Sequence, residues 1–321
     1  MISQDHVVMA YRLILGREPE SDAVIDSLAK GCRDLAELRT KMLASPEFAV
    51  RFSQLRGAES PPVHPPLGWP PMQVEIEVPE ATLQAMLARI ASEFRHLGDT
   101  EPYWSVVSED RFRSDQITGN RDDFVASGEG VVNEFRATAH RCGVDFSQLF
   151  SCLELGCGTA RSTVWLANLF WQVRACDVSP QHLALAQELL RERSIKNVEL
   201  TLIDGLPALQ QVPGFDVLFS IIVLQHNPPP LIAFMLRELL KKLNPGGVAY
   251  FQVPTYIFNY SFVASNYFSR PPVLGTPEMH ALPQSQLARI IEETGCKILE
   301  IREDDAAGSE AISNRLLVRK V

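Results

Sequence analysis

From Ser151 onward the chain alternates short apolar runs with amphipathic stretches, and this alternation restricts it to a sheet of parallel strands joined by crossover helices. The runs 152–155, 172–177, 198–203, 215–222, 248–253, 297–302 and 315–319 read as seven strands. Amphipathic spacing predicts helices over 162–169, 180–193, 231–243 and 284–294, with Gly295 placed to close the last one in a left-handed cap. Only a loop separates the final two strands, so they must pair antiparallel. The expected architecture is a doubly wound α/β domain whose seven-stranded, mostly parallel sheet ends in an antiparallel hairpin, preceded by a small all-α module. Dinucleotide-binding folds continue instead with further parallel units.

The first strand-to-helix turn reads Leu153-Glu154-Leu155-Gly156-Cys157-Gly158-Thr159-Ala160-Arg161. Its two glycines permit a tight turn and a close backbone approach to a ligand. Arg161 stands where a dinucleotide fingerprint places its third glycine, which argues against a pyrophosphate packed beneath the helix. The second strand ends in Asp177, where a carboxylate can accept both hydrogens of a ribose diol. Asp204, ending the third strand, is placed to meet an adenine amino group.

With these residues, the region 146–321 resembles the class I S-adenosylmethionine-dependent methyltransferases, which have a Rossmann-like fold. The resemblance implies that Glu154, Gly156 and Gly158 surround the methionine moiety of S-adenosyl-L-methionine. It further implies that Asp177 binds the ribose and that Asp204 with Gly205 lies on the adenine side. Phe215-Asp216-Val217 and Leu243-Asn244-Pro245-Gly246-Gly247 match the entries to the family's fourth and fifth strands, as structural features. The fourth strand is followed by Leu224-Gln225-His226-Asn227-Pro228 rather than an N-P-P-Y type sequence, which lowers the weight of amino-group acceptors. An oxygen acceptor needs its proton removed, and His226, after the fourth strand and stiffened by the prolines behind it, is the candidate general base.

Upstream, Val7, Val8, Tyr11, Ile14 and Leu15 fall at helical spacing before Gly16, short helices follow over 23–30 and 35–43, and Ser45-Pro46-Glu47 is placed to open another. This region, 1–56, resembles a small helical module of bacterial surface and glycosylation proteins, and it is expected to dock a protein partner rather than to do chemistry. Pro61, Pro62, Pro65, Pro66, Pro70 and Pro71 fall within 57–79, an expected linker. The segment 80–141 reads as a helical cap on the methyltransferase domain, 142–321. In it an apolar stripe from Leu83 to Leu97 stops at Gly98, and a further helix spans 129–141. Trp104 in the cap is a candidate cover for the cofactor's methionine end, although aromatic packing competes with that role. The aromatic run from Tyr250 to Phe268 is either a stacking wall for a sugar or simple packing.

A formal net charge of −9 repels phosphate backbones and anionic lipid, so neither nucleic acid nor a membrane surface is the expected partner. The six cysteines show no C-x-x-C pair and no metal-ligand spacing with histidine, so no metal is expected and free thiols in a reducing cytoplasm are. No apolar run reaches the roughly 18 residues of a membrane span. The combined expectation is O-methylation of a saccharide or other small-molecule hydroxyl, within bacterial polysaccharide biosynthesis. A non-catalytic cofactor-binding scaffold and a nicotinamide-dependent oxidoreductase are the rivals.

Overall fold

The computed structural model describes residues 2–45, 47–48, 70–272 and 274–321. The chain divides into two compact units, Met1–Pro61 and Pro62–Val321. In the first, helix α1 (Gln4–Ala10) is capped by Ser3, whose side chain accepts the His6 amide, and the winding loosens to a π-type turn over Tyr11–Leu15 before Gly16 at φ 61° ends it. Helices α2 (Asp22–Gly31) and α3 (Leu35–Leu43) bury their apolar faces against it, around Val7, Tyr11, Leu15, Leu38 and Met42. Arg17 ties this unit together by pairing with both Glu20 and Glu47. Pro46 of the expected helix start and residues 57–69 of the expected linker lie outside the described residues.

The second unit contains the sheet, with strands β2 (Ser151–Leu155), β3 (Gln172–Asp177), β4 (Val198–Leu202), β5 (Phe215–Ser220), β6 (Leu243–Ile257), β8 (Cys296–Asp304) and β9 (Ala311–Lys320). Their order is β4-β3-β2-β5-β6-β9-β8; β2 to β6 pair in parallel, and β9 pairs antiparallel with both β6 and β8. The expected fold is therefore present, final hairpin included. Successive strand side chains alternate between two cores: Leu153, Leu218 and Phe251 pack on one face, Cys152, Val217 and Val248 on the other. Helices α6 (Thr163–Leu166), α7 (Pro180–Glu192), α8 (Leu206–Gln210), α9 (Pro229–Lys241) and α11 (Gln284–Glu293) connect the strands, and α10 (Ala264–Ser269) lies within an insertion after β6.

Four local expectations are corrected. Helix α4 (Glu80–Thr100) runs past Gly98, because that glycine is not a stop but a notch: a Cβ there would collide with the Ser179 hydroxyl. Helix α5 begins at Ile117 and ends at Arg141, far earlier than 129, because Gly119 and Gly128 hide its start from a propensity reading. Strand β6 begins at Leu243, just before the Asn-Pro-Gly-Gly turn, and takes that turn in through a bulge that opposes Phe215 to Leu243 and Val217 to Val248. Finally, residues 70–79 are built into the second unit. There β1 (Gln73–Val74) pairs in parallel with β7 (Ser261–Phe262), the Glu75 side chain accepts the Ala264 amide at 2.6 Å, and Ile76 joins the main core.

Candidate cofactor pocket

Three strands, β2, β3 and β5, end side by side, and the turn after β2 is shaped by two glycines at positive φ. Gly156 (φ 74°) donates its amide to the Cys176 carbonyl at 2.8 Å, and a Cβ on it would overlap Val223 beyond β5. Gly158 (φ 52°) donates to Asp177 Oδ2 at 2.9 Å, and a Cβ there would come within 2.5 Å of Val106. Asp177 is 7% exposed, and its other oxygen accepts the Ser179 amide at 2.9 Å. One carboxylate therefore fixes the glycine loop and the start of α7 together. Ser179 then caps α7 by accepting the His182 amide.

Between Asp177 and the glycine loop lies a pocket at the C-terminal edge of the sheet, where ligands of open α/β sheets bind. Glu154, Gly156, Gly158 and Asp177 all line it. So do Arg161, His182 and Asn227; Ile90 and Phe94 of α4 give an apolar wall, and Ser105 and Val106 come from the segment between α4 and α5. Glu154 accepts the Thr163 hydroxyl at 2.6 Å, and burial pushes its carboxyl up to about 8, with Asp177 adding to the rise. Arg161 donates from Nη1 to Ser127 Oγ at 3.2 Å while its Nε has no partner, and burial pulls its pKa below the ordinary value. His182 shares a 3.0 Å hydrogen bond with Ser105 through Nε2, and its Nδ1, 3.7 Å from Asp177 Oδ1, makes no hydrogen bond.

The other expected site residues do not line this pocket. Asp204 is exposed just beyond β4, and its neighbour Ile203 lines the pocket instead. Gly205 is the N-cap of α8, packed near Gln84, whose Oε1 accepts the Leu206 amide at 3.1 Å. Trp104 lies under the Arg113 guanidinium, 4.5 Å away, so the cap reaches the pocket through Ser105 and Val106, one residue further along. His226 stands behind Phe94, with ring centroids 5.8 Å apart. Its Nδ1 lies 3.1 Å from the Glu278 carbonyl, which can only accept, so that nitrogen carries the proton, and Nε2 faces the Gln225 amide at 3.2 Å. Burial pulls its pKa down to about 4. An imidazole engaged at both nitrogens and this weakly basic is poorly matched to proton abstraction near neutral pH, which takes away the positional argument for His226 as base. The aromatic run divides: Tyr250 stacks on Phe135 in the core, while Tyr260, Phe262 and Tyr267 pack edge-on around His280.

The sequence reading missed Arg161, His182 and Ser105 as pocket residues. Arg161 was visible only as a glycine replaced. His182 has a local signal, because Asp177-x-Ser179-Pro180-x-His182 puts it in the first turn of the helix that Ser179 caps just after Asp177.

With the pocket's walls defined, one comparison covers the same segment. Residues 153–249 match the family model of a methyltransferase domain. That span runs from β2 into β6 and includes every strand end that forms the pocket. The fold is similar to magnesium protoporphyrin IX methyltransferase from Synechocystis PCC 6803, at 16% identity and a TM-score of 0.51, over 74% of this chain and all of that one. An S-adenosylmethionine-dependent methyltransferase from Clostridium acetobutylicum ATCC 824 aligns at 15% identity, with a TM-score of 0.43, over 60% of this chain and 90% of that one. The N-methyltransferase NodS from Bradyrhizobium japonicum WM9 aligns at 15% identity, with a TM-score of 0.42, over 74% and 98% of the two chains. No curated protein matches the sequence. Among the described residues, no helix is long and apolar enough to cross a membrane.

Proposed function

We propose that the second unit binds S-adenosyl-L-methionine and transfers its methyl group to a small-molecule acceptor. The carrying observation is the single pocket that collects Glu154, the two glycines and Asp177, in the methyltransferase-domain segment. These residues fit the cofactor. Asp177 lines the pocket, and each of its oxygens, already accepting one backbone amide, has a lone pair left for a ribose hydroxyl, while Ile90, Phe94, Ile203 and Val223 supply apolar surface for the adenosine. When bound, the cofactor supplies an electrophilic methyl group. The chain's own contribution is orientation and exclusion of water, since methyl transfer by in-line displacement gains mainly from approach geometry and a fixed electrostatic environment.

For the acceptor, we carry forward a hydroxyl of a saccharide or related small molecule, on the absence of an N-P-P-Y type sequence after β5 and on the resemblance of the first unit to glycosylation-associated modules. That first unit is proposed as a docking module for a protein partner. Calorimetric titration with S-adenosylhomocysteine and, separately, with NAD tests the cofactor reading. Binding of S-adenosylhomocysteine at micromolar or tighter affinity with no heat from NAD is expected, and NAD binding in its place would return the oxidoreductase reading. A protein that binds the cofactor but methylates none of a panel of sugars, phenols and amines would be the non-catalytic scaffold.

A further inference from the structure

The edge of the sheet opposite the cofactor pocket, where β2 and β3 begin, carries two large aromatic side chains in the open. Trp171 is 82% exposed and Phe150 49%, with ring centroids 5.8 Å apart and the rings edge-on. Tryptophan is highly buried on average in folded proteins, so an indole this open is surface offered to a partner. Main-chain bonds hold the pair in place. The Phe150 carbonyl accepts the Trp171 amide at 2.9 Å, and the Phe150 amide donates to Asp216 Oδ2 at 2.9 Å.

Beside this platform, starting at the adjacent Leu149, lies a polar cleft of about 320 Å³ lined by Asp145, Gln148, Asp216 and Arg319. Arg319 donates from Nη2 to the Gly143 carbonyl at 3.3 Å, while its buried Nε makes no hydrogen bond. Asp145 and Gln148 are exposed, and Asp145 accepts the Ser147 amide through Oδ1. The cleft is at the lower end of the size range of small-ligand sites, about 300–1,000 Å³. Its two carboxylates would repel a phosphate or an anionic lipid. An apolar protein surface seated here would strip water from them and from Arg319 without replacing it. A neutral pyranose suits both halves: its hydroxyls exchange hydrogen bonds with carboxylate, amide and guanidinium, and its C–H face lies flat on an indole.

We propose that this edge of the sheet is a saccharide-binding site, remote from the cofactor pocket, in which the Trp171–Phe150 platform and the Arg319 cleft hold a neutral chain of pyranose units. The site needs neither the cofactor nor the acceptor reading above. Strands of five or six residues separate the two edges, roughly 17–20 Å, so one sugar unit cannot reach from one edge to the other.

Calorimetric titration of the full chain with cellotetraose and with N,N′,N″-triacetylchitotriose tests the site. At least one of them should bind with a millimolar or tighter Kd, unchanged within about two-fold when S-adenosylhomocysteine is saturating. Trp171→Ala should weaken that binding about ten-fold and leave S-adenosylhomocysteine affinity as in the wild type. Arg319→Met should weaken it about ten-fold as well, and Asp145→Asn, at an exposed position, serves with a smaller loss if the Met variant does not fold. Binding of neither saccharide overturns the proposal, and so does full affinity in the Trp171→Ala protein or in the cleft variant, which would seat the saccharide elsewhere. A dimer seen by sedimentation in the wild type and lost in Trp171→Ala, with no saccharide bound, would give the platform to a second copy of the chain and also overturn it. Failure to bind S-adenosylhomocysteine would bring down the cofactor reading alone.

Discussion

Replacing Asp177 by Asn keeps the shape of the side chain and changes its bonding at two points at once. The carboxylate accepts the buried Gly158 and Ser179 amides at 2.9 Å each. An amide side chain has one oxygen, so one of these N–H groups would face an NH2 donor and lose its partner. An unpaired buried donor costs about 1–3 kcal/mol, and loss of charge on the surviving bond adds about 1 kcal/mol, for a total near 2–4 kcal/mol of folding free energy. In a domain of this size that is a fall of roughly 5–15 °C in Tm. Ligand binding should suffer separately. If the same oxygens hold the ribose, affinity for S-adenosylhomocysteine falls by a further 10²–10³-fold, about 3–4 kcal/mol. Scanning calorimetry of the apo protein reads the first quantity and isothermal titration of the folded variant reads the second. A folded Asp177→Asn protein that binds S-adenosylhomocysteine within two-fold of wild type would refute the ribose assignment, whatever its Tm.

The raised carboxyl of Glu154 gives a pH signature. Its folded value of about 8 lies above the ordinary 4.5, so its contribution to stability is most favourable below about pH 4.5 and is lost as pH rises towards 8. A ligand ammonium would favour the ionised form, so S-adenosylhomocysteine binding at pH 7 should release a proton, seen as a buffer-dependent calorimetric heat; identical heats in phosphate and Tris would contradict this. His226→Gln should leave S-adenosylhomocysteine affinity within a few-fold and lower stability by about 1 kcal/mol through the lost bond to Glu278, checked by urea unfolding; a hundred-fold loss of turnover with binding intact would restore it as the base. A chain beginning at Pro70 should fold and bind, whereas one beginning at Pro79 should be less stable by several kcal/mol, since it loses β1 and buried Ile76; equal urea midpoints would show that residues 70–78 add nothing.

The sheet was legible because its strands are apolar runs at regular spacing and because the last two are too close in sequence for a crossover. That Gly156, Gly158, Glu154 and Asp177 come together at the strand ends was legible for a related reason: tight turns and strand ends leave local marks. What sequence did not show was side-chain direction. Trp104 was the conspicuous residue of the cap, yet Ser105 and Val106 are the ones that turn inward, and nothing local distinguishes them. His226 follows the right strand, but its orientation is set by Glu278, fifty-two residues away, whose carbonyl captures Nδ1. Residues 70–79 look like linker because of their prolines, and only pairing with distant β7 makes Gln73–Val74 a strand. Each of these outcomes depends on a non-local contact that no window of sequence contains.

The single hydrogen bond from Ser105 to His182, together with the seating of Val106 on Gly158, has a consequence for timing. These two contacts roof the pocket with a short turn rather than with a packed helix, and a ligand the size of a nucleoside has to pass beneath it. Entry and exit then share one gate, opened by breaking the Ser105–His182 hydrogen bond and moving Val106 off Gly158. Ser105→Ala and Val106→Ala should accelerate association and dissociation of S-adenosylhomocysteine together in stopped-flow measurements, leaving their ratio within a few-fold of wild type. In a turnover cycle the same gate would set how long the spent product lingers before the next molecule arrives.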